Sequence, residues 1–372
     1  MAPPSVYHMR KTGKGLVIVE AFITAIRNAL KTFLPAELAR LAAPLCILAV
    51  ILLVLLAIGT ALVKTGKIKK ETFAFYAFIM PWLVGFFVFN VYPVCFSIIT
   101  SFFKWDIVSP REFVGLDNYR YALEGKDKYF YQSIKVTFLY TFLNVPLGIV
   151  YSFLIALMLN QKIRGIAFFR TAFYLPSLVS GVAVSTLWAY IFKYNYGLLN
   201  IALEAIGLEP VRWLGDPKMV IPSLVLMGLW GVGGSTIIML AGLQDIPQDI
   251  CEAAIVDGAG PWMRFKHITI PMMSPIIFFN LVNGFIGSFQ YFTQAYLMTE
   301  GGPNGASMFY VLNLYNQAFS YFRIGYACAL AWILFVIIIV FTALIFRYSS
   351  FWVYYETEVK SKKIKVKKGG RK

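Results

Sequence analysis

The residues best spaced for chemistry lie between Gln244 and Pro271, reading Q-D-I-P-Q-D-I-C-E-A-A-I-V-D-G-A-G-P-W-M-R-F-K-H-I-T-I-P. Four carboxylates gather there, Asp245, Asp249, Glu252 and Asp257, in a chain with 18 acidic against 34 basic side chains. By composition alone the segment reads as an ordinary helix–turn–helix connection between spans. Pro247 fits the first turn of a helix, with Asp245 placed to cap its unpaired N–H groups. Ala253 and Ala254 keep that helix slim, and Gly258 is free to end it in a left-handed conformation. Gly260-Pro261 starts a second short helix, and Pro271 leads into an apolar run. The spacing predicts a projecting elbow of helix, tight turn and helix.

A second set is neutral. Asn280, Asn283, Gly284, Gly287, Ser288, Tyr291 and Gln294 recur at three- and four-residue steps within the run Pro271–Thr299, on one helical face. The preceding run offers Ser223, Trp230, Gly231 and Ser235 at similar steps. Small residues let helices approach, and amides bond across them, so packing accounts for Gly284 and Gly287. The rest of the stripe offers the neutral donors, acceptors and aromatic faces that a hydroxyl-rich cargo needs. Other chemistries find no footing. There is no G-x-x-x-x-G-K-[ST] loop, so the chain is not expected to bind or hydrolyse ATP by that route. Cys46, Cys95, Cys251 and Cys328 stand singly, and His8 and His267 join no ligand cluster, so no metal or catalytic site is expected.

The elements that must carry these residues are apolar helices. Hydrophobic residues make up 59% of the chain and charged ones only 14%, against roughly a quarter in soluble domains. Seven uncharged runs stand out: Leu41–Val63, Phe73–Phe103, Val136–Leu159, Thr171–Phe192, Met219–Leu243, Pro271–Thr299 and Gly325–Phe346. Each is long enough to cross a hydrocarbon core, which takes about 20 helical residues. A transmembrane barrel would show segments of about ten alternating residues, and none occur. No Asp, Glu, Lys, Arg or His sits inside the last six runs. That argues against a proton-driven carrier and for a cargo that is uncharged, or one whose charge is met elsewhere.

Basic residues set the orientation. Lys64, Lys67, Lys69, Lys70, then Lys162, Arg164 and Arg170, then the tail mark one side as cytoplasmic. The opposite loop Lys104–Lys135 holds six basic and five acidic residues. The tail after Ile345 carries nine of the 34 Lys and Arg residues, which suits anionic lipid headgroups. No aromatic-rich basic fold accompanies it, so the net charge of +16 does not point to nucleic acid. At the other end, Leu41–Val63 is expected to span. Gly15–Leu34 reads either as a second span, with a turn near Pro35, or as an interfacial helix. Its Glu20, Arg27 and Lys31, with Thr24 and Asn28, share one face. A cleaved signal peptide is not expected, because the strong apolar run starts only at residue 41.

Glu252-Ala253-Ala254, Asp257-Gly258-Ala259 and Ile268-Thr269-Ile270-Pro271 match, in order and spacing, the hallmark loop of the permease subunits of binding-protein-dependent ABC importers. The chain resembles that family from about residue 72 to 347. Val114-Gly115-Leu116-Asp117-Asn118-Tyr119, Arg164-Gly165 with Phe168-Phe169-Arg170, and Gly301-Gly302-Pro303 are similar to its sugar-importing, maltose-permease-like branch. The resemblance implies an all-α polytopic membrane protein, a type I importer core of six transmembrane helices plus an N-terminal extension of one or two. It divides the chain into an extension, 1–70, a permease core, 71–347, and a basic cytoplasmic tail, 348–372. It implies a second permease, two ATPase subunits that hold ATP and Mg, and an extracytoplasmic solute-binding protein. Glu252 would bond a basic group in the ATPase cleft and Gly258 would hinge the elbow. Ser288 and Tyr291 would line the sugar cavity. An importer for glycerol phosphate or a peptide, and a self-sufficient carrier, are the competing expectations.

Overall fold

The computed structural model describes residues 69–354 except 162, together with 60, 63, 65 and 66. Apart from Thr60 and Val63, the expected span Leu41–Val63 lies outside the described residues, as do Gly15–Leu34 and the basic tail beyond Tyr354. The chain divides into two units, Met1–Ser97 and Ile98–Lys372. Helix α1, Lys70–Thr100, runs out of the first and carries a π turn at Phe87–Val91. Within it Trp82 stacks on Phe86 at 5.3 Å.

The second unit opens with a two-residue ladder, β1 Phe103–Lys104 against β2 Glu112–Phe113, a small departure from the all-α expectation. It is closed by α2, Asp117–Leu123. Asn118 Nδ2 donates to the carbonyls of Ser101 and Phe103 at 2.8 and 3.0 Å, and Tyr119 shares a 2.7 Å hydrogen bond with Ser101. The motif Val114–Tyr119 is therefore a structural knot. Then come α3 Phe130–Leu159, the pair α4 Ile166–Leu178 and α5 Gly181–Ile191, and α6 Leu198–Ala205. The pair α7 Val220–Trp230 and α8 Gly233–Gln244 follows. After these run α9 Gln248–Val256, α10 Pro261–Phe289, α11 Thr293–Met298, α12 Tyr310–Tyr315 and α13 Ile324–Ser349.

Four helices are long and apolar enough to span alone (α1, α3, α10 and α13), and the two pairs make up to six. Two expected spans are thus bent. The run Thr171–Phe192 turns by 99° between α4 and α5. Pro176 cannot donate to the preceding turn, and Ser180 restarts the helix by accepting the Ala183 N–H. The run Met219–Leu243 bends by 50° at Gly231-Val232. There Gly233 sits so close to the Phe173 carbonyl, 2.5 Å from where a Cβ would lie, that only glycine fits.

Helix α3 is the shared core. Its N-terminal part contributes Val136 and Tyr140 to a cluster with Trp188, Leu224 and Phe309, and its middle sets Val145 against Phe285 and Phe289. Its C-terminal end packs Ile155 and Leu159 on Met239 and Met273, while Phe130 at its start joins Tyr310, Tyr326 and Leu330. Its last turn is capped from α4, where Arg170 Nη2 donates to the Leu159 carbonyl at 3.0 Å. Asp127, just before α3, is buried and fully engaged. It accepts from the Tyr129 N–H, Asn313 Nδ2 and the Tyr326 hydroxyl at 3.0, 2.9 and 2.9 Å. It ties α3, α12 and α13 together. The start of α13 leans on the α2 knot, and a methyl on Gly325 would overlap the backbone carbonyl of Phe103. Gly325→Ala is expected to destabilise the protein by about 1–3 kcal/mol, lowering its melting temperature in detergent. Gly234→Ala, where a Cβ meets nothing, should be neutral or slightly stabilising in the same assay.

Candidate functional site

The elbow forms as the sequence predicts at its centre and differs at both ends. Helix α9 spans Gln248–Val256, and Gly258 follows it with φ +81°. The Ala259 N–H donates to Ala254 O at 2.8 Å and the Gly258 N–H to Ile255 O at 3.0 Å, so a glycine-centred cap satisfies the last carbonyls. The expected cap by Asp245 does not form. Helix α8 runs on through Gln244, and Asp245 ends it with its N–H bonded to Ala241 O. Pro247 itself takes the N-cap position of α9, with no side-chain cap. Nor is the second arm a separate short helix. Gly260 and Pro261 start α10, and a π turn at Phe265–Thr269 lets the helix pass Pro271 unbroken into the span.

Chemically the elbow is an exposed, acidic edge. Glu252, Ala253, Asp257 and Gly258 are exposed and Ala254 is half-buried. Glu252 has no ion pair or hydrogen bond through its side chain among the described residues. The tip is also apolar, which the motif did not announce: Val256 is 88% exposed, Trp262 73% and Ile255 53%. Behind the tip the elbow is anchored, for Trp262 stacks on Phe265 at 5.5 Å and Phe265 on Phe153 of α3 at 6.1 Å.

The polar stripe divides. Helix α10 ends at Phe289, so Asn280, Asn283, Gly287 and Ser288 share it but Tyr291 and Gln294 do not. Tyr291 is in the break and Gln294 in α11, a correction to the single face read from the spacing. The amides of Asn280, Asn283 and Gln290 each donate to the carbonyl four residues back. This holds them to the helix and leaves Asn283, Gly287 and Gln290 as one exposed face. Gln290 was missed because the break at Phe289 is invisible in the pattern.

Ser288 turns the other way, buried, and accepts from Asn144 Nδ2 of α3 at 3.4 Å. Tyr291 is wedged between the rings of Tyr140 and Phe309, 4.4 and 4.7 Å away. The Tyr291 hydroxyl and Asn144 Oδ1 are both buried without a hydrogen-bond partner. Across from them Gly228 leaves only 2.6 Å between Asn144 Oδ1 and a built Cβ. Gln294 lies against Gly181 at the sharp bend. Trp230, with Tyr151, Phe173, Pro176 and Thr236, lines a cavity of about 180 Å³ where both bent pairs meet α3. Ser235 is half-buried in the first turns of α8, and Ser223 is committed to the Trp213 and Met219 carbonyls. No group of three or more His, Cys, Asp or Glu among the described residues could hold a metal.

Residues 129–352 match the family described as binding-protein-dependent transport system inner membrane component, more than half of the 372-residue chain. The chain belongs to this family. The permease is 42% identical over 302 residues to the probable ABC transporter permease protein YesP of Bacillus subtilis, covering 80% of this chain and 97% of that one. It is 33% identical over 294 residues to the trehalose/maltose transport system permease protein MalF of Thermococcus litoralis, covering 77% and 97%. Its fold is shared with a bacterial alginate ABC transporter, solved with an alginate pentasaccharide-bound periplasmic protein. That match has a TM-score of 0.67 at 24% identity, over 74% of this chain and 93% of that chain. The permease is a multi-pass membrane protein with the fold of an ABC importer permease.

The unpartnered hydroxyl at Tyr291 separates packing from chemistry. Tyr291→Phe should leave the melting temperature of the purified permease unchanged or raised, since it removes a buried unsatisfied group. Tyr291→Ala should cost about 3–5 kcal/mol, because it opens a cavity between Tyr140 and Phe309.

Proposed function

We infer that the permease forms one half of the translocation path of an ATP-driven importer for a neutral oligosaccharide, and that α9 is its contact with the ATPase. One observation carries the coupling role: α9 stands clear of the protein with Glu252 unpaired beside the apolar tip of Val256. An exposed carboxylate ringed by exposed apolar side chains is the anatomy of a surface that a partner covers. The basic group in the ATPase cleft would engage Glu252, and the Val256 and Trp262 side chains would fill its apolar walls. Gly258 allows the tight turn, and the stack Trp262–Phe265–Phe153 gives a displaced elbow a hold on α3.

The sugar reading rests on the neutral spans and on the exposed face of Asn283, Gly287 and Gln290 in α10. Turned to lipid, these amides would leave their carbonyl oxygens and second N–H groups without partners, so this face fits a second permease or a watery path between the two. The trehalose/maltose permease of Thermococcus litoralis supports an oligosaccharide. Asn280, Ser288, Tyr291, Gln294, Trp230 and Ser235 are the further candidates for cargo contact. We assign the extension to 1–70, the transport core to 71–347 and a cytoplasmic basic tail, near anionic lipid, to 348–372. A solute-binding protein delivers cargo outside, and two ATPase subunits bind ATP and Mg inside. ATP binding closes that pair, moves both docked elbows and shifts the permeases toward the outward-open state.

Glu252→Ala and Gly258→Pro should each cut uptake at least tenfold in cells while the permease remains in the membrane and ATP hydrolysis persists. Normal uptake by both variants contradicts the coupling role. Ser288→Ala and Tyr291→Phe should change the ratio of maltose to trehalose uptake without changing membrane insertion. An unchanged ratio removes those two residues from the path.

A further inference from the structure

A cavity of about 390 Å³ lies beyond the end of α5, walled by Phe192, Tyr194 and Trp213, floored by Met298 and edged by Lys193 and Arg212. Its walls hang from one side chain. Asn200, buried in α6, donates to the carbonyls of Tyr194 and Val211 and accepts from the Val211 N–H and Trp213 Nε1, all between 2.9 and 3.0 Å. Every donor and acceptor of that amide is used, so both walls are fixed before anything binds. The Trp213 N–H is consumed by Asn200, and the residue offers its ring face.

The charge is unanswered. No carboxylate lines the cavity, and neither Lys193 nor Arg212 has an ion pair among the described residues. Of the acids nearest in sequence to Arg212, Glu209 is exposed, outside the cavity lining and without an ion pair among the described residues, and Asp216 accepts the Lys218 N–H at 2.8 Å. The Arg212 guanidinium sits over the Tyr194 ring at 5.3 Å, which sets its plane and leaves its N–H edges free for a bidentate acceptor. Tyr, Trp and Arg around a rigid hollow are the side chains that dominate protein–protein binding energy. A negatively charged cargo is the weaker fit, because the spans beyond this mouth carry no charge to receive it.

We propose that this cavity is an anchor point for the solute-binding protein, taking an Asp or Glu side chain from one of its surface loops between Lys193 and Arg212. This rests on the proposed orientation, in which the loop Lys193–Lys218 faces outside. The test uses the assembled transporter, this permease with its second permease and ATPase in nanodiscs, titrated with its solute-binding protein while ATP hydrolysis is measured. Charge reversal in Lys193→Glu/Arg212→Glu should raise the half-maximal binding-protein concentration at least tenfold and flatten its dependence on salt. Lys218→Glu, the same change in the same loop but outside the cavity, should shift it less than twofold. If the double variant does not assemble, Arg212→Gln alone should still raise it about threefold or more. An unchanged half-maximal concentration overturns the proposal, as does a loss of uptake with unchanged concentration, which would make the cavity a cargo subsite. Absence of any stimulation in the unmodified complex would instead overturn the importer reading on which this one stands.

Discussion

One helix, α3, organises most of the packing in the second unit. Inside a membrane a helix gains little from apolar burial against lipid, so association depends on close packing and on satisfied polar groups. Helix α3 supplies both along its 30 residues. Its N-terminal end is tied by Asp127 to α12 and α13, its middle meets α10 across Gly284 and Val145, and its C-terminal end is capped by Arg170. The bent pairs lean on it where their own backbones are interrupted. Helix α3 is a continuous helix beside two bent pairs.

The same arrangement connects the elbow to the polar stripe through the backbone. The elbow is continuous with α10 through the π turn, and the same helix carries Asn283, Gly287 and Ser288 farther along. Phe265, at the start of that turn, stacks on α3. In the proposed coupling, a push on α9 would reach the helix whose exposed polar face borders the proposed path. The cluster of Asn144, Ser288 and Tyr291 lies where α10 breaks, and Asn144 Oδ1 and the Tyr291 hydroxyl in it have no hydrogen-bond partner.

Much of this was legible in the residues. The elbow's turn could be read because Gly258 has a single physical job, a left-handed residue after a slim helix, and it does that job at φ +81°. The spans could be read because hydrocarbon tolerates only long uncharged helices. Other features depend on contacts between distant segments. The bend at Pro176 and Ser180 was hidden inside one apolar run, since proline is common in membrane helices and breaks them only when the surroundings allow. No glycine or proline follows the end of α10 at Phe289 before α11 begins, so Tyr291 and Gln294 were read onto a face they do not share. Asn200 and Asp127 look like ordinary loop residues until their partners, up to 199 positions away, are in place. The exposed apolar tip at Val256 and Trp262 was likewise silent, because hydrophobic residues are everywhere in this chain.

The central claim is that α9 and the turn after it are covered by the ATPase. Amide hydrogen exchange across residues 248–263, compared between the permease pair alone and the pair assembled with its ATPase, measures this directly. The account predicts strong slowing on assembly, centred on Glu252 to Trp262. Unchanged exchange there, with slowing confined to other cytoplasmic segments, would contradict it.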